Sequence, residues 1–547
     1  MRRAKDIPKA PIWASDVQPV IVPVPTGGWD AISPLAAMDP QFAPILDNWV
    51  PRTGYVELRP GYLPWQRNLS SDPVETLMGY RPQGGLQQLL AATGSEIWNV
   101  TNSNFPELEQ SGLSNARWQW VNFAPGGALT TYLYIVNGSD APRYFDGTTW
   151  TQPSITGGPA PTTFINIGSH KRRLWFVQDN STVVWYLETD AISGALAGSL
   201  DIGPFLTKGG DLIATGTITV GGGYSPDDLT VFISSRGEMV VYKGTDPTDA
   251  NAWGQIGIFS LPPPLGRRCF MQLGADLALI SLSGVIPVSQ AFPVDTAAVG
   301  NVALTKRIQN AMLQSAQAGQ NLFGWQMLNF PAQGLAVLNV PIQENASQVQ
   351  YVQNLITGAW FRITGWDANC FELLDDTLYF GDNDGNVLQA WSGAADLTSP
   401  IVADMQCAFN YFGDPGRIKR MTMLLPQIVT SGAITPTLGV DVDFGNVSPE
   451  ALVSSISPAG AKWDVDDWDV GLWSGGIVTV TQWQSVQASG HALAVRMKVN
   501  VLPAGAEVES AFDFGVFDTM VFDGFSTSEN TLQVNAFTAL IEMGANV

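Results

Sequence analysis

Seven times between residues 70 and 395 a short apolar run meets a Gly, Asn or Asp turn, and a second apolar run follows. Runs 89–92, 133–136, 174–177, 231–233, 277–282, 334–340 and 378–380 turn at Gly94, Gly138, Asn180, Gly237, Gly284, Asn345 and Gly385. Gly and Asn reach the left-handed backbone region at low cost, and tight hairpins need it. A lone hairpin cannot bury both faces, so the units must cover one another. A return about every 40 to 60 residues is the length of a four-stranded propeller blade. The expected fold is mainly β: a β-propeller of six or seven blades over residues 69–395. Residues 1–68 read as an N-terminal arm and 396–547 as a C-terminal β-rich part, the two terminal segments together forming a platform domain. A sandwich or two stacked β-domains would leave a similar trace. One stretch breaks the rhythm: Leu304, Ile308, Ala311 and Met312 recur at spacings of three and four. That spacing predicts a helix over 303–318, set on the surface between blades.

Composition agrees with a strand-built chain. Its 547 residues include 55 Gly, 36 Pro and 19 Trp, which favour turns and aromatic-packed strands over long helices. Charged residues are 14%, and low charge with abundant Trp is the composition of surfaces hidden in partner interfaces. The net charge of −22 argues against tight, sequence-independent nucleic-acid binding. It suits a pore that lets a duplex pass without sticking. Cys269, Cys370 and Cys407 are odd in number and far apart, which fits a reducing cytoplasm. Pro8, Pro11 and Asp16 interrupt the start, and no apolar run is long enough to span a bilayer, so neither signal peptide nor membrane anchor is expected.

The residues of chemistry are sparse. His170 and His491 are the only histidines, and no His/Cys group has zinc spacing. No G-x-S-x-G elbow or phosphate-binding loop is present. The run from Asp382 to Asn386 resembles part of a calcium loop but lacks the closing Glu, so a hairpin turn is the simpler reading. Asp146-Gly147-Thr148-Thr149 lacks the leading Ser-x-Asp of a sialidase Asp-box and reads as another turn. Asp227-Asp228, Asp375-Asp376 and Asp466-Asp467 are adjacent acids that point different ways; a catalytic pair drawn from distant blades stays open. No catalytic, cofactor or metal residue is expected. The clusters Lys171-Arg172-Arg173, Arg267-Arg268 and Arg417-Ile418-Lys419-Arg420 read as salt-bridge partners. Trp463, Trp468 and Trp473, then Phe512, Phe517 and Phe522, repeat at a step of five that fits neither strand nor helix. They read either as loop packing or as an aromatic interlock against a neighbouring subunit.

Several segments resemble one family. They are the run from Tyr132 to Gly138 with that from Arg143 to Trp150, Asn48-Trp49-Val50-Pro51, Tyr379-Phe380-Gly381-Asp382 with Gly385-Asn386-Val387, the Trp-Asp-Val pentads, and the run from Leu532 to Phe537. Together they look like the tail nozzle proteins of short-tailed phages, known as tail tubular protein B or packaged-DNA stabilisation protein. The resemblance implies a structural virion protein, assembled in the bacterial host cytoplasm and located in the tail. It implies a homohexameric ring below the portal and adaptor that extends the DNA channel, helps retain and conduct double-stranded DNA, and anchors fibres or spikes. The family is structural, so the resemblance carries over no catalytic residue. The alternatives are a propeller glycan hydrolase or a glycan-binding module on a phage tail.

Overall fold

The computed structural model describes residues 17–103, 105–127, 130–222, 225–294, 296–431, 434–446, 451–452, 478–501 and 532–546. All seven turn residues named above take a positive φ: Gly94 53°, Gly138 77°, Asn180 49°, Gly237 83°, Gly284 114°, Asn345 52° and Gly385 77°. Each joins the second and third strands of one antiparallel sheet. Five sheets are four-stranded blades, four strands of a nine-stranded sheet make a sixth, and a three-stranded sheet lies between the fourth and fifth blades. Their innermost strands are Val74–Tyr80, Gln119–Phe123, Phe164–His170, Leu212–Gly222, then Phe270–Leu273 of the three-stranded sheet, then Gln326–Phe330 and Ala368–Leu374. The fold is a β-propeller.

The apolar faces that no hairpin can cover alone are covered by the next blade. One cluster joins Ile97 of the first blade to Leu133 and Phe145 of the second. Another joins Tyr134 of the second blade to Phe164 and Phe176 of the third. Trp175 of the third blade stacks on Trp253 of the fourth at 5.4 Å between ring centroids. Each such side chain contributes about 1.5–3 kcal/mol when fully buried. Between inner strands, side-chain amides bridge backbones: Asn122 donates to the Gly79 carbonyl (2.8 Å), and Gln326 both donates to and accepts from Phe371 (2.9 and 3.0 Å).

The ring is closed from the other end of the sequence. The outer strand of the sixth blade is Tyr62–Gln66, antiparallel to Val387–Ala390. These residues were expected in the N-terminal arm. Pro64 is tolerated there because an outermost strand pairs on one side only. Gly61 leads into the strand, and a Cβ on it would sit 1.8 Å from the Ala395 carbonyl oxygen.

Strands from both termini share sheets. Val17–Pro23 pairs with Leu532–Asn546, which pairs with Arg417–Thr430. Ile45–Asp47 lies between Trp360–Ile363 of the fifth blade and Ile401–Gln406, so that blade runs on into a nine-stranded sheet. Sheet pairing therefore crosses both expected segment boundaries. The helix expected over 303–318 is Gln309–Gly319, preceded by the 3-10 turn Leu304–Ile308, and it buries Met312 and Ala316 between the three-stranded sheet and the fifth blade. Trp463, Trp468, Trp473, Phe512, Phe517 and Phe522 lie outside the described residues.

Arg59 sits where these pieces meet. It is 1% exposed and donates to Asn48 Oδ1, the Pro60 and Thr364 carbonyls, and both oxygens of Asp396 at 2.6–2.9 Å. Arg59→Met should cost about 3–5 kcal/mol, because it leaves Asp396 charged and unpaired, and adding Asp396→Leu should restore most of that. Chemical denaturation of the three variants measures it; a double variant no more stable than the single one would refute the pairing. Gly61→Ala should lower the melting temperature, whereas Gly254→Ala, with open space around its Cβ position, should not.

Candidate functional site at the mouth of the toroid axis

The inner strands of the first four blades, the three-stranded sheet and the fifth blade converge on a cavity of about 210 Å³. Leu77, Gln119, Asn166, Thr215, Phe270 and Gln326 line it, one from each. A larger cavity of about 560 Å³ shares Gln119, Arg267 and Arg268 with it. Its other walls are the turn at Asn137-Gly138-Ser139, Arg117, and the segment 320–325 that leads from the helix to the fifth blade. The hairpin turns read from the sequence thus deliver one wall of the mouth.

Three arginines meet here. Arg117 donates from Nε and Nη2 to Glu75 Oε1 (3.0 and 2.9 Å) and from Nη2 to Glu344 Oε1 (2.6 Å). Burial works against its charge, but the bonds to Glu75 and Glu344 outweigh burial and hold Arg117 above its ordinary value. Arg268 donates from Nη2 to the Glu75 carbonyl and to Thr76 Oγ1, both at 2.7 Å, and reaches no carboxylate. Its Nη1 is buried without a hydrogen-bond partner. Phe323 contacts both, its ring centroid 4.4 Å from the Arg117 guanidinium and 4.7 Å from that of Arg268. Glu344 Oε2 accepts the Phe323 amide N–H at 3.1 Å, which fixes that ring in place. Arg267 reaches the Asn137 carbonyl at 3.4 Å and Asp179 Oδ1 at 3.5 Å, both at the long limit of a hydrogen bond. Burial pulls Arg267 and Arg268 below the ordinary arginine value.

The basic clusters divide. Lys171 pairs with Asp228 (2.7 Å), Arg172 with Asp190, and Arg173 with Glu188 (3.1 Å) and Asp246 (3.4 Å), as the salt-bridge reading expects. Arg417 pairs with Asp414 (3.2 Å). Arg268 departs from that reading, because Glu75, its nearest acid, is taken by Arg117. Both acidic turns are closed by their own side chains. Asp146 accepts the N–H groups of Thr148 and Thr149, and Asp382 those of Asp384 and Asn386. His170 and His491 stand on separate elements, the first buried in the third blade, the second exposed beside Asp443. Cys269, Cys370 and Cys407 are buried and form no disulfide, and burial pushes each thiol up to about 12. Among the described residues, no three His, Cys, Asp or Glu side chains group as metal ligands, and no helix is long and apolar enough to cross a membrane. The site residues Arg117, Phe323 and Glu344 gave no local signal in the sequence, since they come from three separate connections.

No family model matches the chain, and no curated protein matches it. Among solved structures it is similar to BBS1N in complex with ARL6DN, at 10% identity and a TM-score of 0.37, over 61% of this chain and 98% of that one. It is also similar to YCF48 bound to D1 peptide, at 11% identity and a TM-score of 0.36, over 61% and 97%. Likenesses of this size say nothing about function; the propeller rests on its own sheet topology.

His170 gives this region a pH dependence. It is 3% exposed, and burial, aided by Lys171, pulls its imidazole down to about 4. The unfolded chain binds that proton near pH 6.5 and the folded chain only near 4. Stability should therefore fall as pH drops through that window, by about 3 kcal/mol in all. Denaturant titrations at pH 7 and pH 4.5 should show a shallower loss in His170→Gln; an equal loss in both would exclude His170 as a source.

Proposed function

We propose that the chain is a non-enzymatic structural subunit that assembles into a ring, and that the ring is the tail nozzle of a short-tailed phage virion. The observation that carries this reading is apolar exposure on the sheets built from the two chain ends. Ile21 is 70% exposed and Val402 52%, and Val17 and Ile418 also face outward. In a chain with only 14% charge, exposed apolar residues of this kind suit subunit contacts. The resemblance to nozzle proteins supplies the finer reading, with an adaptor above, fibres or spikes attached, and double-stranded DNA passing through. The duplex would run between copies, because the axis of one toroid holds cavities of only about 210 and 560 Å³. The acidic excess of the chain suits a lumen that repels phosphate.

A second reading, a propeller binding module, is favoured by the polar, arginine-bearing mouth of the axis. The two readings are separable. Mass photometry of the purified chain, followed by imaging of the particles, should give a closed ring of six or twelve copies. A stable monomer that releases sugars from host polysaccharide would overturn the structural assignment.

A further inference from the structure

The mouth cavity has three features that its packing does not use. Arg267 is exposed and held only at 3.4–3.5 Å, so a better acceptor can displace both partners at little cost. Behind it, Arg268 carries a positive charge with no carboxylate of its own and with a buried, unpartnered Nη1. An unsatisfied buried donor costs about 1–3 kcal/mol, and the fold does not recover that by local bonding. At the rim, the exposed side-chain amides of Gln320 and Asn321 make no hydrogen bond within the described residues. All this occurs in a chain of net charge −22, which sets the mouth apart. The cavity, about 560 Å³, is larger than an inorganic ion needs and within the range of small-molecule sites.

We propose that this cavity binds an acidic saccharide residue, with Arg267 taking its carboxylate and the amides of Gln320 and Asn321 taking its hydroxyls. A guanidinium pairs a carboxylate with two parallel N–H groups, and amides donate to and accept from hydroxyls in turn. Arg268 supplies charge behind Arg267 instead of a direct contact, because Phe323 covers its guanidinium. Two guanidinium groups already lie over the Phe323 ring, so the site selects by charge and hydrogen bonding and not by stacking. Asp179 competes for Arg267 from 3.5 Å and sets the affinity. The ligand is a free sugar acid or the acidic unit of a glycan, which present the same group.

This deepens the binding-module reading and does not depend on ring assembly, so a chain that stays monomeric leaves it standing. Calorimetric titration of the full chain at low ionic strength, with glucuronic acid, glucose and inorganic phosphate in turn, tests it. Glucuronic acid should bind about tenfold or more tighter than glucose, and Arg267→Gln should abolish that preference. Asp179→Asn should tighten glucuronic acid by freeing Arg267. Arg267 is exposed and Asp179 half-buried, and an unchanged melting curve certifies the fold. Glucuronic acid no tighter than glucose, phosphate as tight as glucuronic acid, or a preference that survives Arg267→Gln would each overturn the proposal. A glucuronate-bearing oligosaccharide that binds more tightly than the free acid would identify a glycan as the source; equal binding would identify the free acid.

Discussion

Arg59 has all its guanidinium N–H groups bound inside the protein, at the point where the two ends of the toroid meet. Its partners come from three stretches of chain: Asn48 and Pro60 from the N-terminal segment, Thr364 just past the fifth blade, and Asp396 just past the sixth. Asn48 adds bonds to Thr364 Oγ1 (2.9 Å) and the Val402 carbonyl (2.7 Å). A buried ion pair is weak evidence for stability by itself, since desolvation offsets most of its attraction. Its value here is geometric. The fork admits one arrangement of these strands, and that arrangement puts Tyr62–Gln66 beside Val387–Ala390. The toroid closes because the ends of its arc are clamped next to the strand that joins them.

Within the arc the same problem is solved repeatedly with two materials. Apolar side chains fill the wedge between blades, and amides bridge where backbones diverge. Between the fifth and sixth blades the amides form a closed cycle: Gln348 donates to Asn369, Asn369 to Asn383, and Asn383 back to Gln348. Each member is both donor and acceptor, so the cycle is satisfied internally and does not require water. Asn383 belongs to the acidic turn that suggested a calcium loop. Its side chain is spent on holding two blades together, and Asp382 on closing the turn.

The blade rhythm was legible because it depends on backbone conformation. Only residues that accept positive φ serve at the second-to-third-strand turn, so Gly and Asn mark it in every unit. The helix was legible for a similar reason, through its spacing. Closure was not legible. The run from Leu58 to Tyr62 stands out in the sequence, but nothing local says that Arg59 will meet Asp396 or that a Pro-containing strand will find an edge more than three hundred residues away. The mouth was half legible. Arg267-Arg268 is visible as a pair, yet its character depends on Arg117 taking Glu75, and that competition exists only once the first blade, the second blade and the 320–325 segment are assembled.

Closure from the N-terminal side also orders events. Tyr62–Gln66 is made early, but its partner Val387–Ala390 is made last of the toroid, and the Arg362–Asp47 and Arg59–Asp396 pairs span the same interval. Contacts at such separation carry a large loop-closure cost before they return anything, so the ring cannot lock until its blades have formed. Until then the sixth blade has an open edge. The nine-stranded sheet grows from the fifth blade through Ile45–Asp47, which belongs to that same N-terminal segment. Its link to the blade is the parallel pairing of Arg362 with Asp47.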